Sequence, residues 1–188
     1  MNSIVPASPS PQEYLKRERR AKDKHEYYEG NVTALAGASL AHNRIVINLI
    51  SSINSALKDR PCEILPSDIR VTIPSRKAYM YPDATIVCGT PEMEDDQFDT
   101  LKNPKVIFEV LSRSTSAHDR GRKFQYYQEI PSFQEYVLID STELFIEVSR
   151  RQKDGSWDTD ASSDPDGWLG LEAIKINIPL REVYRRIF

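Results

Sequence analysis

No stretch of this sequence approaches the roughly 20 apolar residues that a membrane-crossing helix needs, so no membrane-spanning segment and no membrane partner are expected. The first residues lack a positive region followed by an apolar run, so no secretory leader is expected and the cytoplasm is the expected compartment. Cysteine is scarce. Cys62 and Cys88 make no metal-type spacing and read as reduced thiols, with a single disulfide left open. An excess of positive charge is also lacking. The 25 Lys and Arg against 28 Asp and Glu leave a net charge of −3, which argues against a uniformly basic nucleic-acid binder but leaves room for a local basic groove. Neither an internal repeat nor a domain linker is visible.

What remains is a chain of 188 residues, 39% apolar and 28% charged, enough for one domain with a sizeable core. Residues 1–11 hold three prolines and three serines and read as a flexible tail, with residues 12–188 as the single domain. A short charged helix is expected over 12–21, and a hairpin over 25–36 around Gly30-Asn31. From 39 to 57 the period becomes helical: Val46, Leu49, Ile50, Ile53 and Leu57 form one apolar stripe, Ser39 can cap it, and His42 sits in its first turn. Strands are expected over 62–65, 69–73, 81–88, 105–112, 134–140, 143–150 and 171–178, with an exposed loop over 91–103. A second helix is expected over 117–129, capped by Ser114 or Ser116 and ended by Pro131. The fold class is α/β, a central mixed sheet flanked by helices.

The stretch Lys105-Val106-Ile107-Phe108-Glu109-Val110-Leu111-Ser112 is apolar except for one central carboxylate. Such a run reads as a strand buried on both faces, where a carboxylate is costly unless paired. A salt bridge to a nearby Lys or Arg and a metal or catalytic role both answer that cost. Asp83 follows Pro82 at the mouth of another apolar run, and pairing of the two strands would let Asp83 and Glu109 converge. Two carboxylates offer oxygen ligands for a hard divalent ion such as Mg2+ or Mn2+, which lowers the pKa of a bound water and offsets phosphate charge. Lys123 shares a helical face with Asp119 and Tyr127 and could place a cation near the attacked phosphorus; its loss is expected to leave folding nearly intact, as for a groove-lining lysine. Arg113, Arg120 and Arg122 cluster with Lys123 after the Glu109 strand and are candidate phosphate contacts.

The order "YPDATIV", "PKVIFEVLS", "HDRGRKFQYYQEIPSFQEYVLID" resembles the Uma-type restriction endonuclease family of the PD-(D/E)XK nuclease superfamily, over roughly residues 14–178. The resemblance implies a restriction-endonuclease-like fold, metal-dependent phosphodiester hydrolysis and DNA as partner, with a homodimer left open. It implies Asp83 and Glu109 as metal-binding acids, with Val110 beside them. The superfamily's usual lysine two residues after the Glu is Leu111 here, and the resemblance implies that Lys123 takes its part. Tyr127 and His42 match recurring positions of this branch, and Glu29 matches the early acidic residue. Two rival readings stay open: a catalytically silent nuclease-like domain that binds nucleic acid or protein, and a hydrolase of a different phosphoester or a small molecule.

Overall fold

The computed structural model describes residues 8–112 and 116–188. Ser10 opens α1 (Pro11–Glu18) with a reciprocal cap: Glu13 N–H donates to the Ser10 hydroxyl at 3.3 Å, and Ser10 N–H donates to the Glu13 carboxylate at 2.8 Å. Strands β1 (His25–Tyr28) and β2 (Asn31–Ala34) form the expected hairpin. Its turn is Glu29-Gly30, with φ of 49° and 98°, one residue earlier than the Gly30-Asn31 reading. Two left-handed residues are what a tight hairpin turn demands, and the strand pairing decides which two.

Helix α2 (Leu40–Ala56) starts where Ser39 accepts the His42 N–H at 3.1 Å. Ile45, Leu49 and Ile53 are wholly buried and Leu57 nearly so, while Val46 and Ile50 pack at the flank. The stripe is therefore centred slightly differently from the sequence reading, and it includes buried Asn48, whose amide donates to the Val183 and Arg185 carbonyls at 3.1 and 2.9 Å.

Beyond α2 come β3 (Cys62–Pro66), β4 (Arg70–Ile73), β5 (Ala78–Met80), β6 (Ala84–Cys88), β7 (Thr100–Leu101) and β8 (Val106–Leu111). Helix α3 follows in three parts, Ser116–His118, a wide π-helical turn Asp119–Lys123, and Phe124–Tyr127. Then come β9 (Glu135–Asp140), β10 (Ile146–Arg151), β11 (Trp157–Ser162), β12 (Trp168–Leu171), β13 (Ile176–Pro179) and α4 (Leu180–Val183). The expected central sheet is two mixed sheets and a hairpin. One sheet has the order β11-β10-β9-β8-β6-β3, parallel only between β8 and β9; the other has the order β2-β1-β5-β4-β7, parallel only between β4 and β7. The 91–103 loop thus contributes β7, and the expected 171–178 strand is broken by a turn at Glu172–Ile174 into the β12-β13 hairpin.

Strand β8 lies at the heart of the six-stranded sheet with both faces covered. Val106, Phe108 and Val110 pack toward α2, β12, β13 and α4. Ile107 and Leu111 pack toward α3 and the five-stranded sheet, among Met80, Tyr127, Phe133 and Tyr136. The reduced cysteines expected from the sequence are instead joined: Cys62 and Cys88 stand opposite each other in the antiparallel β3-β6 register and form a disulfide. Their 26-residue separation hides a proximity that only strand register creates. Among the described residues, no helix is long and apolar enough to cross a membrane.

The register of α2 separates two neighbours sharply. Leu49→Ala should cost about 2–5 kcal/mol in chemical denaturation because its site is closed on all sides. Ile47→Ala, on a side chain 66% exposed, should stay within about 0.5 kcal/mol.

Candidate active site

Strands β6 and β8 pair antiparallel as far as Ala84 opposite Phe108. Asp83 stands one residue beyond, and its N–H donates to the Phe108 carbonyl at 3.1 Å. Its carboxylate then spans the gap where the strands part: Oδ2 accepts the Val110 N–H at 2.7 Å and lies 3.1 Å from His42 Nε2. His42 is delivered by the first turn of α2, and its other ring nitrogen is buried without a partner among the described residues. Pro82 and the end of the β6 ladder thus turn a strand-end aspartate toward the C-terminal half of β8.

Glu109 points to the α3 side of β8 and is 3% exposed. Lys123 meets it there: Nζ lies 2.9 Å from Glu109 Oε1, 3.0 Å from Glu26 Oε1 and 3.7 Å from Asp119 Oδ1. Tyr127, one further turn along α3, donates its hydroxyl to Glu109 at 3.3 Å. Glu26 comes from β1 and also accepts the Tyr81 N–H at 3.0 Å and the Tyr28 hydroxyl.

Charge decides the state of this cluster. Burial pushes the Glu109 carboxyl well above its ordinary pKa, Lys123 opposes the shift, and Asp119, Asp83 and Glu26 reinforce it. Burial works against the Lys123 ammonium, but Glu109, Glu26 and Asp119 outweigh it and raise its pKa well above the ordinary value. Burial, then Glu109, raises the Tyr127 phenol, so it stays a hydrogen-bond donor. Three carboxylates, those of Glu109, Glu26 and Asp119, thus meet one ammonium among the described residues. Asp83, Glu109 and Lys123 open onto a pocket of about 560 Å3 that is also lined by Lys22, Lys24 and His42.

The family model described as "Putative restriction endonuclease", Uma2, matches residues 11–181. The chain belongs to the Uma2 family. Two uncharacterized proteins of Synechocystis sp. are similar to this Uma2 member: slr1290 is 35% identical over 94% of this chain and 91% of that protein, and sll1609 is 38% identical over 77% and 82%. A solved structure described as "a putative nuclease belonging to DUF820" from Anabaena variabilis has the same fold, with a TM-score of 0.78 at 20% identity over 96% of this chain and 99% of that one.

Among the residues expected at a Uma2 site, the structure brings together Asp83, Glu109, Lys123, Tyr127 and His42. Val110 lines the same pocket and turns its backbone to Asp83; its carbonyl lies on the same strand edge as its N–H. Leu111 is buried among apolar side chains on the Glu109 face, so the cation reaches Glu109 from α3.

Glu29 is not part of the cluster. It sits in the β1-β2 turn with its side chain 51% exposed, 3.9 Å from Arg76, and Glu26 occupies the inner position. Strand alternation is the reason: Glu26 and Tyr28 share the inward face of β1, and Glu29 lies past the strand's end. A glutamate beside the strand-forming Tyr27 and Tyr28 is the signal in the sequence, akin to the carboxylate in an apolar run that marks Glu109. Asp119 is the other member that joins the cluster directly. Arg120 pairs with Glu147 at 2.5 Å, Arg122 lies over the Tyr28 ring at 6.0 Å, and neither lines the pocket. Arg113 lies outside the described residues, as does Ser114.

Among the described residues, no group of three or more His, Cys, Asp or Glu side chains is arranged to hold a metal ion. The donors expected from the family resemblance are all oxygen: the Asp83 and Glu109 carboxylates and the Val110 carbonyl. That set fits a hard ion such as Mg2+, which takes one or two carboxylates and keeps several waters.

The burial of Lys123 reverses the stability expectation. It borders the pocket but is 4% exposed and bridges carboxylates that are themselves buried, so it is not a solvated side chain. Lys123→Ala should lower the unfolding free energy by about 3–5 kcal/mol in chemical denaturation, because it strands buried negative charge.

Proposed function

We propose that this chain is a metal-dependent phosphodiester hydrolase acting on DNA, with Mg2+ or Mn2+ held by Asp83, Glu109 and the Val110 carbonyl. One observation carries the reading: the Lys123 ammonium, 2.9 Å from Glu109, opens with Asp83 onto a single pocket although Leu111 stands where the superfamily carries its lysine. A divalent ion bound there would supply an activated water and offset charge on a phosphate oxygen. The chain's own residues do the rest. His42 and the Val110 N–H orient the Asp83 carboxylate. Glu26, Asp119 and Tyr127 hold Lys123 and Glu109 in fixed geometry, so that the ammonium can donate to phosphate oxygen as charge develops. Lys22, exposed on the pocket wall and without an ion-pair partner among the described residues, is suited to a flanking phosphate.

The rival reading is a silent nuclease-like domain. It draws on Lys123 being engaged by three carboxylates and on Arg120 being engaged by Glu147.

A cleavage assay on plasmid, linear and single-stranded DNA with and without Mg2+ separates the two. The hydrolase reading expects cation-dependent cleavage that Asp83→Ala lowers on the order of 100-fold or more, together with weaker Mg2+ binding by calorimetry. Binding of DNA without cleavage under any cation would favour the silent domain.

Lys22→Ala gives a separate test of the pocket wall. It should weaken DNA binding about equally for different sequences and reduce the log–log salt slope by about one. An unchanged slope would remove Lys22 from the phosphate path.

A further inference from the structure

Glu26 is held from two directions. Its Oε1 takes the Lys123 ammonium at 3.0 Å and the Tyr81 N–H at 3.0 Å. Its Oε2 takes the Tyr28 hydroxyl, and the Tyr28 oxygen in turn lies 2.8 Å from His118 Nε2. Tyr28 and Glu26 are two residues apart on β1, so strand alternation sets both on one face. His118 stands directly before Asp119, at the start of the segment that ends in Lys123. Tyr28, Glu26 and Lys123 are all 4% exposed or less, whereas the His118 side chain is 39% exposed. The result is an unbroken line of polar contacts from the surface at His118 to the buried ammonium, and His118, Tyr28 and Glu26 are all absent from the pocket wall.

We propose that His118 is the outer end of a hydrogen-bond relay that fixes Glu26 and, through it, the Lys123 ammonium. His118 is thus a positioning residue for the proposed site, outside the pocket and touching no substrate.

The direction of the relay follows from its members. Burial, reinforced by Glu26 and partly offset by Lys123, pushes the Tyr28 phenol well above its ordinary pKa, so it keeps its proton. That proton goes to the Glu26 carboxylate, and the phenol oxygen is left as an acceptor. His118 must therefore donate from Nε2. The donors all point inward and converge on Glu26: His118 to Tyr28, Tyr28 to Glu26, Lys123 to Glu26. Rings brace the arrangement, with His118 edge-on to Tyr28 at 5.4 Å and Tyr126 edge-on to it at 5.9 Å. Loss of the outer donor frees the phenol to rotate, and loss of the phenol leaves Glu26 Oε2 without its buried donor. Either change loosens the carboxylate that holds Lys123 away from a random position.

Two readouts test the relay. The first is independent of any enzymatic activity. In a chain labelled with 15N-histidine, the three imidazoles are His25, His42 and His118, and loss of one signal set in His118→Gln assigns the last. The relay expects a slowly exchanging His118 Nε2 proton with a through-space contact to the Tyr28 ring, and rapid exchange in Tyr28→Phe. A His118 Nε2 proton that exchanges rapidly in the wild type overturns it.

The second readout rests on the nuclease reading. His118→Ala should lower kcat roughly tenfold at unchanged KM, as for one lost hydrogen bond. His118→Gln, whose amide can donate from the Nε2 position, should restore kcat to within about twofold. Wild-type kcat in His118→Ala, or failure of His118→Gln to restore it, overturns the positioning role. If no form of the protein cleaves DNA, the nuclease reading fails while the imidazole spectrum still decides the relay. If Tyr28→Phe does not fold, the half-exposed His118 variants carry the test.

Discussion

A single buried ammonium organises this molecule's chemistry. Lys123 is enclosed with Glu109, Glu26 and Asp119, and the ion pairs among them join three separate parts of the chain: the central strand β8, the first hairpin and the start of α3. Little of their surface is exposed, so each interaction is stronger than at an open surface and each loss dearer. Burial holds Glu109 well above its ordinary carboxyl pKa, with Lys123 opposing the shift and Asp119, Asp83 and Glu26 adding to it. A site built this way holds its members in one geometry.

The fold supplies that enclosure by burying β8 on both faces. One face is sealed by α2, the β12-β13 hairpin and α4, the other by α3 and the five-stranded sheet. Glu109 is the carboxylate on that second face, and it is tolerable only because α3 brings Lys123 and Tyr127 onto it. The wide turn at Asp119–Lys123 lies within α3 at just this point; such turns recur at functional sites. Asp83 owes its place to a different device, the end of the β6-β8 ladder, where a backbone N–H and an imidazole share its oxygen.

The relay through Tyr28 and His118 extends the same logic outward. Glu26 spends both carboxylate oxygens on fixed donors, so Lys123 has a defined resting position rather than a range of them. A lysine that arrives from a helix, not from the strand that carries the glutamate, needs such bracing, because its long stem would otherwise sample many rotamers.

By itself the sequence determined the elements whose signals are local. An apolar run interrupted by Glu109, a helical stripe through Leu49 and Ile53, a serine cap at Ser39 and a glycine turn at Gly30 each follow from side-chain chemistry over a few residues. The strand and helix patterns also offered Asp83 and Lys123 beside Glu109, and the family resemblance added His42 and Tyr127 as candidates at the same site. Tertiary structure alone decided what depends on register and on which face a strand turns inward. It put Glu26 in the cluster and left Glu29 in the turn, because a three-residue step along β1 carries the side chain past the strand end. It set Cys62 opposite Cys88, split 171–178 into a hairpin and gave Arg120 to Glu147. It also buried Lys123, expected as a groove-lining lysine, among Glu109, Glu26 and Asp119. Local patterns report what a segment can become, whereas pairing between distant segments selects the partners, and no short-range pattern encodes that selection.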